Sequence, residues 1–421
     1  MPLLINEAKR KLSYSMSEEI YITIIGGGVI GCAIAYEISK ESKKNIVIIE
    51  KNNQIKGENQ SSRNSGVIHA GIYYPKDMEP LKARLCVEGN SLIYEFCNKY
   101  NIPHKRTGKL VVATNQLEEE YLEDTYRIAI ENKVPGVKII NCKEVKKLEP
   151  NVKALSALYV PTSGIIDSTS LTERLYRTAE SSGAMFLVGN KVVQIEPFRD
   201  DFQVTIKSNN EAEVFRTKIL INSAGLYSDD VAKMLNSGSP YEMNPIKGES
   251  AKFYRTKREE ISINGLNIYP VPFGYLLDGQ RLNVHFKEFQ MLYHEGKINK
   301  SVGVHLTPTL DTLDIKGSNF SIGDTVTIGP AYSKPDGKED YKPTRDEKYF
   351  LNMINPIFPY LKLEDISLYQ TGIRAKLKNR SDFVIERDPK YQNCINLIGI
   401  DSPGLTSCLA IAKYIKQLLE K

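Results

Sequence analysis

The chain is poor in the residues that build metal centres and disulfide frameworks. It has 6 cysteines and 5 histidines among 421 residues, and no two cysteines form a CxxC pair. No histidine stands at metal-ligand spacing from them, so we expect no metal site, no iron–sulfur relay and no disulfide framework. Scattered cysteines are typical of a reducing compartment. They favour a cytoplasmic protein.

Long apolar runs are also absent. No segment reaches about 18 consecutive apolar residues, so we expect no membrane-spanning helix. The first 19 residues carry a basic cluster but lack the apolar stretch of a secretory signal. We interpret residues 1–19 as an N-terminal tail. An organelle-targeting leader is the alternative, which Glu7, Glu18 and Glu19 disfavour.

The charge balance is mild. The 56 basic and 51 acidic residues leave a net charge of +5. This suits a small anionic ligand or peripheral contact with an anionic membrane, although solvated lysines account for it equally well. No basic patch is interleaved with aromatic residues, so we predict no nucleic-acid partner. The length suggests two or three domain-sized units.

The ordered part of the chain begins with a strand–turn–helix–strand pattern. "YITIIGG" is a β-branched run that stops at glycine, "VIGCAIAYEISKES" has helical periodicity, and "NIVIIEK" is a second strand. A βαβ unit of about thirty residues forces the two strands to be parallel. We therefore predict an α/β protein with a Rossmann-like domain around a parallel central sheet, plus a second α+β domain on a mixed or antiparallel sheet.

Other elements follow from periodicity. We predict a long helix over Glu79 to Tyr100, and a strand, a Pro-Gly turn and a closing helix in "CINLIGIDSPGLTSCLAIAKYIKQLLEK". "GKLVVAT", "KVVQI", "FQVTI" and "KILINSAG" are predicted strands, and "LTERLYRTAESSG" is a predicted helix. The polar stretch from Gln280 to Lys300 is predicted to be a loop or hairpin insertion.

A glycine motif follows the first strand. Gly26, Gly28 and Gly31 form GxGxxG at the start of the predicted helix, and Glu50 ends the next strand. The first glycine permits a tight turn, the second lets the backbone approach a pyrophosphate, and the third packs helix on sheet. Glu50 suits a ribose hydroxyl pair. The motif predicts dinucleotide binding but does not separate FAD from NAD.

The stretch "NQSSRNSGVIHAGIYY", from Asn59 to Tyr74, indicates FAD and not NAD, because of its resemblance to a known family. It is similar to the flavin-contacting segment of the FAD-dependent D-amino acid oxidase superfamily, and most resembles L-2-hydroxyglutarate dehydrogenases and oxidases. "RTGKLVVATN", "INSAGLYSDD", "TGIRAKL" and "GIDSPGLTSCLAIA" agree with it in chain order. The resemblance covers most of Tyr21 to Lys413. It implies FAD as cofactor, a discontinuous FAD-binding domain over 20–100, 151–235 and 356–421, and a substrate-binding domain over 101–150 and 236–355.

Hydroxyl and amide donors in this stretch suit a pyrophosphate, because they satisfy negative charge without added cations. The alternative is a hydrophilic loop that satisfies its own backbone. The amides at the start of the last helix can likewise face negative charge on the flavin. Together with the resemblance, these arguments assign the following cofactor-binding residues: Gly26, Gly28, Gly31, Glu50, Lys51, Ser61, Ser62, Asn64, Ser65, Gly66, Val192, Ala224, Gly225, Gly372, Gly404, Leu405 and Thr406.

The resemblance also points to reacting groups. It implies that Arg374 binds a carboxylate, which a guanidinium fork does bidentately, although Ala375 stands where the family usually has proline. His69 can take a hydroxyl proton near neutral pH, or serve as a covalent tether for FAD. The further candidates are His305, Tyr73, Tyr74 and Lys247. For His69, the two tyrosines and His305, a purely structural role is the alternative, and for Arg374 it is an ion pair on the surface.

The resemblance implies an oxidoreductase that moves hydride from a small anionic secondary alcohol to FAD, with L-2-hydroxyglutarate as the leading substrate. The electrons would leave to a quinone or to oxygen, which allows a peripheral membrane association. FAD-dependent glycerol-3-phosphate dehydrogenase is the nearest rival, and an amino-acid or amine oxidase is third. FAD-dependent glycerol-3-phosphate dehydrogenases carry an Arg-Tyr pair where this chain has Tyr73 and Tyr74. A flavin-binding accessory protein is the non-enzymatic alternative.

Overall fold

The computed structural model of the protein describes residues 20–41, 45–209, 211–276, 281–311 and 320–420. The predicted tail at 1–19 and Gln280 lie outside the described residues. The helices are α1 (Val29–Ser39), α2 (Pro80–Tyr100), α3 (Gln116–Glu131), α4 (Cys142–Leu148), α5 (Ser168–Ser181), α6 (Ser228–Leu235), α7 (Phe286–His294), α8 (Glu347–Ile354) and α9 (Gly404–Leu419).

The strands follow in the same chain order. They are β1 (Ile20–Ile25), β2 (Ile46–Glu50), β3 (Val67–Ile68), β4 (His104–Lys105), β5 (Lys109–Ala113), β6 (Lys138–Asn141), β7 (Ser156–Val160), β8 (Gly164–Ile166), β9 (Met185–Val188), β10 (Lys191–Phe198), β11 (Asp201–Ser208), β12 (Glu211–Asn222), β13 (Ile246–Tyr254), β14 (Asn267–Pro270), β15 (Phe273–Leu276), β16 (Ile298–Ser301), β17 (His305–Leu310), β18 (Ile322–Ser333), β19 (Ser367–Arg374), β20 (Val384–Arg387) and β21 (Cys394–Ile398).

The chain forms two compact units. The first consists of the chain up to Asn64, Ser168–Pro245 and the chain from Arg374 onward, and the second of Ser65–Asp167 and Ile246–Ile373. These boundaries differ from the predicted ones, since residues 65–100, 151–167 and 356–373 belong to the second unit and residues 236–245 to the first. Residues 65–100 and 151–167 contain β3 and β8, which pair with each other, and β8 also pairs with β4. Residues 356–373 contain most of β19, which neighbours β13 in the large sheet of the second unit. A three-stranded pairing between distant segments leaves no local signal in the sequence.

The first unit is built on the predicted parallel sheet. β12, β1, β2 and β9 are neighbours and run parallel, and β21 joins β12 in the same direction. β10, β11 and β20 add antiparallel edges. β1 and β2 are short aliphatic runs that the sheet buries, and α1 is buried nearly all round because α5 and α9 pack against it. The predicted Rossmann-like fold is confirmed.

The second unit contains a mixed eight-stranded sheet in the order β19-β13-β18-β17-β14-β5-β7-β6. Its strands alternate between two hydrophobic clusters. Leu110 and Val112 of β5 lie in one cluster, whereas Val111 and Ala113 lie in the other. This period of two is what a sheet covered on both faces requires. The predicted second domain with a mixed sheet is therefore confirmed.

The predicted insertion is a hairpin that also contains a helix. β15 and β16 pair antiparallel, and α7 lies in the chain between them. The expectation of a loop or hairpin missed this helix, whose length is only 9 residues. It is held by aromatic packing, with Phe289 stacked near Phe286 and both rings against Tyr121 of α3. Within the described ranges, no helix has the length and apolar character needed to cross a membrane.

Candidate active site

Two glycines of the motif, Gly26 and Gly31, have no room for a side chain. Gly26 has φ +106°, and a Cβ built on it would lie 2.5 Å from the carbonyl oxygen of Ser223. A Cβ on Gly31 would lie 1.9 Å from the carbonyl oxygen of Gly26. The turn and the first coil of α1 therefore pack backbone against backbone. This close packing leaves the N-terminal end of α1 free of intervening side chains, as the motif predicts.

A hydroxyl from another segment reaches the N-terminus of α1. Gly28 is the N-cap and gives no side-chain cap, while Ser61 Oγ accepts a hydrogen bond from the N–H of Val29 at 2.8 Å. No acidic side chain stands in the first turn of α1. The positive end of a helix beside a hydroxyl is a suitable place for a phosphate. Ser61 therefore lies at the helix end where its predicted role, a hydrogen bond to a pyrophosphate, would place it.

Glu50 faces the same turn. It is 6% exposed, and its two carboxylate oxygens accept hydrogen bonds from the N–H groups of Gly27 and Asn52 at 2.7 and 2.9 Å. Burial raises the pKa of Glu50, and the two hydrogen bonds oppose that shift. One oxygen thus stabilises the glycine turn itself. The predicted contact of Glu50 with a ribose stays a prediction.

Ser62 and Asn64 support their own loop. Ser62 Oγ accepts from the N–H of Gly57 at 3.0 Å, and Asn64 Nδ2 donates to the carbonyl oxygen of Ser61 at 2.6 Å and to Ser168 Oγ at 3.2 Å. These are contacts that a self-satisfying loop makes. Their effect is to hold Ser61 in place at the start of α1, whereas a direct contact of either residue with the cofactor stays a prediction.

The end of β12 lies beside the glycine turn. The backbone N–H and the hydroxyl of Ser223 both donate to the carbonyl oxygen of Ile25, at 2.9 and 3.0 Å. Ala224 and Gly225, which has φ +56°, follow directly. Ser223 belongs to the motif "INSAGLYSDD", in which no role was predicted for it. Its position shows that this serine fixes the segment carrying the two predicted cofactor residues.

The remaining predicted cofactor residues of the first unit have varied surroundings. Lys51 Nζ lies 4.0 Å from the ring centre of Tyr227, and Val192 is 6% exposed in the hydrophobic core. At the start of α9, the N–H of Gly404 donates to the carbonyl oxygen of Asp401 at 2.6 Å, while Thr406 is fully buried and Leu405 is half-buried. Cofactor contacts of these residues stay predictions.

Two histidines in the second unit belong to one series of rings. His305 stacks on Tyr269, with ring centres 3.7 Å apart and planes 10° apart, and His305 Nδ1 lies 3.2 Å from Thr307 Oγ1. Tyr73 lies nearly parallel to Tyr269 at 6.4 Å, and His69 meets Tyr73 edge-on at 6.5 Å. The structure thus brings together three of the predicted residues, through a tyrosine that the sequence analysis did not single out.

Tyr73 and Tyr74 differ in their surroundings. The hydroxyl of Tyr73 is buried and has no hydrogen-bond partner among the residues that the structure describes, and burial raises its pKa well above the usual range. Tyr74 packs against Ala83 and Cys86, and its carbonyl oxygen accepts from Asn132 Nδ2 at 2.8 Å. Tyr74 therefore has the contacts of a packing residue, whereas Tyr73 retains an unused polar group.

Lys247 is already engaged within the second unit. Its Nζ donates to Asp340 Oδ2 at 2.8 Å and to the carbonyl oxygen of Lys342 at 2.9 Å, and the side chain is almost fully buried. These contacts fasten the segment after β18 to β13. A role for Lys247 in the reaction stays a prediction.

Lys109 is a residue that the sequence analysis missed. It is 1% exposed at the start of β5. Its Nζ lies 3.8 Å from the ring centre of Tyr269 and 5.3 Å from that of Tyr73. Burial lowers the pKa of this amine to about 7. The available signal was a lysine inside the apolar run "GKLVVAT", a position where a charged residue is costly.

The predicted residues fall in both units. The second unit contains Ser65, Gly66, His69, Tyr73, Tyr74, Lys247, His305 and Gly372, and the first contains the others. Arg374, the half-buried last residue of β19, is the point where the chain enters the first unit again. Across the part of the chain that is described, no group of three or more His, Cys, Asp or Glu side chains is arranged to hold a metal ion.

The chain is similar to known proteins over most of its length. The mitochondrial L-2-hydroxyglutarate dehydrogenase of Caenorhabditis briggsae is 31% identical over 94% of this chain and 92% of its own. A glycerol 3-phosphate dehydrogenase of Caloramator mitchellensis is 32% identical over 95% of this chain and 73% of its own. The structure of L-alpha-glycerophosphate oxidase from Mycoplasma pneumoniae, with FAD bound, superimposes with a TM-score of 0.77 at 24% identity and covers 96% of this chain and 95% of its own.

The residues around α1 fit a flavin dinucleotide. The turn at Gly26 and Gly31 admits no side chain, and Ser61 adds a hydroxyl to the positive end of the helix, which together suit a pyrophosphate. The family described as FAD dependent oxidoreductase matches residues 22–418. The chain therefore belongs to the family of FAD-dependent oxidoreductases, with FAD as its cofactor.

Proposed function

We propose that this enzyme oxidises L-2-hydroxyglutarate to 2-oxoglutarate. The observation that carries the proposal is the extent of similarity to enzymes named for that substrate. The relative from Caenorhabditis briggsae matches 94% of this chain and 92% of its own length, and the one from Bos taurus is 34% identical over 94% of this chain and 87% of its own. Matches of this extent include both units of this chain.

The proposed reaction divides its tasks between cofactor and chain. FAD, when bound, supplies a two-electron oxidant that accepts hydride from the carbon bearing the hydroxyl group. In this proposal Arg374 binds a substrate carboxylate, which orients the neighbouring carbon. His69 accepts the proton that leaves the hydroxyl group, because a neutral imidazole is a suitable base near pH 7. The edge of Tyr73 against the ring of His69 supports the orientation of that imidazole.

The test is anaerobic reduction of the flavin by a panel of substrates. The purified holoenzyme is mixed with L-2-hydroxyglutarate, its D-enantiomer, sn-glycerol 3-phosphate and a set of amino acids, and the loss of visible flavin absorbance is followed. L-2-Hydroxyglutarate is expected to bleach the flavin, and 2-oxoglutarate should accumulate in equal amount. Bleaching by amino acids alone would assign the enzyme to the oxidases of that class and would refute the proposal.

A second candidate substrate is sn-glycerol 3-phosphate. The Caloramator mitchellensis relative named for it is 32% identical to this chain. Against it, the chain has two tyrosines, Tyr73 and Tyr74, where the sequence analysis expects an Arg-Tyr pair for phosphate substrates. The same bleaching experiment separates the two candidates, since only one of the two compounds should reduce the flavin at a rate compatible with turnover.

An enzyme of this kind passes electrons from a small-molecule substrate to an acceptor. We propose a quinone or oxygen as that acceptor. Because quinones dissolve in the bilayer, the quinone alternative also implies that the enzyme, which we propose to be cytoplasmic, associates peripherally with the membrane. Steady-state turnover with a water-soluble quinone analogue, compared with oxygen consumption, distinguishes the two acceptors. Co-sedimentation with vesicles measures the association.

A further inference from the structure

The face of the second unit's sheet that carries His305 also carries a buried amine. β14 lies between β17 and β5, and the register pairs Asn267 of β14 with Lys109 of β5 and Ile268 with Leu306 of β17. Residues paired across neighbouring strands lie on the same face. Lys109, Tyr269 and His305 therefore belong to one face of the sheet, while Ile268 and Leu306 face the opposite hydrophobic cluster.

Lys109 and His305 lie on opposite sides of one ring. The imidazole of His305 covers Tyr269 at 3.7 Å, almost parallel to it. An amine 3.8 Å from the same ring centre would collide with that imidazole if it lay on the same side. The amine consequently lies against the other face of Tyr269, and its distance from the centre of the Tyr73 ring is 5.3 Å. Lys109 thus adjoins the two tyrosines that connect the predicted residues His69 and His305.

The cluster around Lys109 gives it no acidic partner. Among the residues that the structure describes, its neighbours are the rings of Tyr73 and Tyr269 and the thiol of Cys86 in α2, and no carboxylate contributes to its titration. Burial raises the pKa of Cys86 and of Tyr73, so both stay neutral at working pH. The amine is therefore the group of this cluster that can carry a charge. His305 contacts the other face of Tyr269, and His69 contacts Tyr73.

Burying an amine without an acid costs stability, and a methionine of similar length would fill the site at no such cost. A residue kept in this way is a candidate for function. We propose that Lys109 is a positioning residue that makes the face bearing Tyr73, Tyr269 and His305 electropositive, so that the enzyme binds an anionic substrate more tightly when Lys109 is charged. It acts through these rings and not by contact with the substrate. This inference rests on the proposed function, because it concerns the anionic substrate of the same site.

The affinity of the enzyme for an anionic substrate should depend on pH through the charge of Lys109. The charged form of Lys109 prevails below its pKa of about 7 and the neutral form above it. The affinity for an anion should then fall as the pH rises through neutrality. Replacing Lys109 by methionine removes this part of the pH dependence. A merely structural role would change the size of KM or kcat but would leave the shape of the pH profile unaltered.

The experiment measures KM and kcat of wild type and Lys109→Met between pH 5.5 and 9, with whichever anionic substrate reduces the flavin. At pH 6 the variant should have a KM about tenfold higher, with kcat little changed, since one charge at moderate distance in a partly buried site is worth about that much. The difference should shrink above pH 8. Lys109→Arg, which stays charged, should keep the low KM at both ends if it folds. Parallel pH profiles of wild type and Lys109→Met would overturn the proposal.

A binding measurement separates this proposal from the proposed reaction. Glutarate has both carboxylates of L-2-hydroxyglutarate but no hydroxyl group to oxidise, and its Kd is read from the change it causes in the flavin spectrum. Wild type should bind it about tenfold more tightly at pH 6 than at pH 8.5, and Lys109→Met about equally at both. If L-2-hydroxyglutarate fails to bleach the flavin while this difference is seen, the proposed reaction fails and the role of Lys109 stands. Equal behaviour of the two proteins would refute the role of Lys109, whereas no glutarate binding by wild type would count against the proposed substrate.

Discussion

The hydroxyl of Ser61 and the backbone N–H of Val29 are joined by a hydrogen bond of 2.8 Å, although the two residues are 32 positions apart. Ser61 Oγ accepts this bond, so its own O–H stays available to donate outward. Since Gly28 offers no side-chain cap, the serine performs the task of an N-cap from a separate segment. It thereby extends the positive end of α1 towards an anion in front of the helix.

Replacing Ser61 by alanine should weaken FAD binding about tenfold, the effect of losing one hydrogen bond to a charged group. The change removes one donor and leaves the N–H of Val29 without its acceptor. Titration of the apoprotein with FAD, followed by quenching of flavin fluorescence, gives the Kd. Ser181→Ala is the matched control, because Ser181 is exposed in α5 and its Oγ donates to the carbonyl oxygen of Arg177. Equal losses in the two variants would contradict the assignment.

Gly31→Ala should abolish FAD binding and lower the yield of folded protein. The added Cβ would lie 1.9 Å from the carbonyl oxygen of Gly26, and both atoms belong to rigid backbone. No side-chain movement can relieve that contact, so α1 has to shift away from β1. Gly337→Ala is the control, since a Cβ there meets nothing within 4 Å. The flavin content and the Tm of the two variants measure the effect, and a Gly31→Ala protein with full flavin content would be an unexpected result.

Glu50→Gln should change both the pH dependence of stability and the affinity for FAD. Burial raises the pKa of Glu50 in the folded protein. The carboxyl therefore stabilises the fold most below its unfolded pKa, and this contribution is lost as the pH rises through the folded value. Relative to wild type, the apoprotein of the variant should gain stability as the pH rises from about 4 to 7, because it carries no buried charge at this position.

The same variant should bind FAD about tenfold less tightly, because a neutral amide is a poorer partner for ribose hydroxyl groups than a carboxylate. Glu95→Gln, a change at an exposed position of α2, should alter neither quantity. Calorimetry of the apoprotein at several pH values and FAD titration provide the two measurements. An unchanged affinity for FAD would indicate that Glu50 serves only to hold the glycine turn.

The parts of the fold that follow local rules could be predicted from the sequence. The parallel β1–α1–β2 unit rests on two aliphatic runs and a glycine turn within one short segment, and a Pro-Gly turn before an apolar helix marks α9. The contact of Gly31 with Gly26 is equally local, which is why the spacing of the glycines predicts it. Such features need no knowledge of distant segments.

The rest depends on contacts between distant segments. The sequence around Lys109 does not indicate that its amine would lie over the ring of Tyr269. The sequence around Lys247 likewise does not indicate its ion pair with Asp340. The helix α7 is short, and its position depends on Tyr121 in a helix far away in sequence. Burial and partners of polar groups are tertiary properties, so the sequence predicts candidate residues better than it predicts their roles.

Arg374→Leu should raise KM for a carboxylate substrate by about a hundredfold or more, because a bidentate charge-assisted contact is lost. The flavin content should stay unchanged if the arginine contacts substrate and not cofactor. Arg380→Leu is a suitable control, since Arg380 is exposed and lies 6.0 Å from the ring centre of Tyr241. Steady-state kinetics with L-2-hydroxyglutarate measures the effect. An unchanged KM would remove the carboxylate-binding role from Arg374.

His69→Asn should lower kcat by about a hundredfold to ten-thousandfold with a smaller effect on KM, as expected when a general base is removed. In wild type, kcat/KM should fall towards acid pH, where a histidine base becomes protonated, and this acid limb should be absent in the variant. His285→Asn is the control, because His285 is 79% exposed and pairs with Glu120 on the surface. If His69→Asn reduces its flavin at the wild-type rate, His305 becomes the candidate base and His305→Asn should show the loss instead. Flavin fluorescence on a denaturing gel, bright for wild type and dark for His69→Asn, would identify His69 as a covalent tether and not a base.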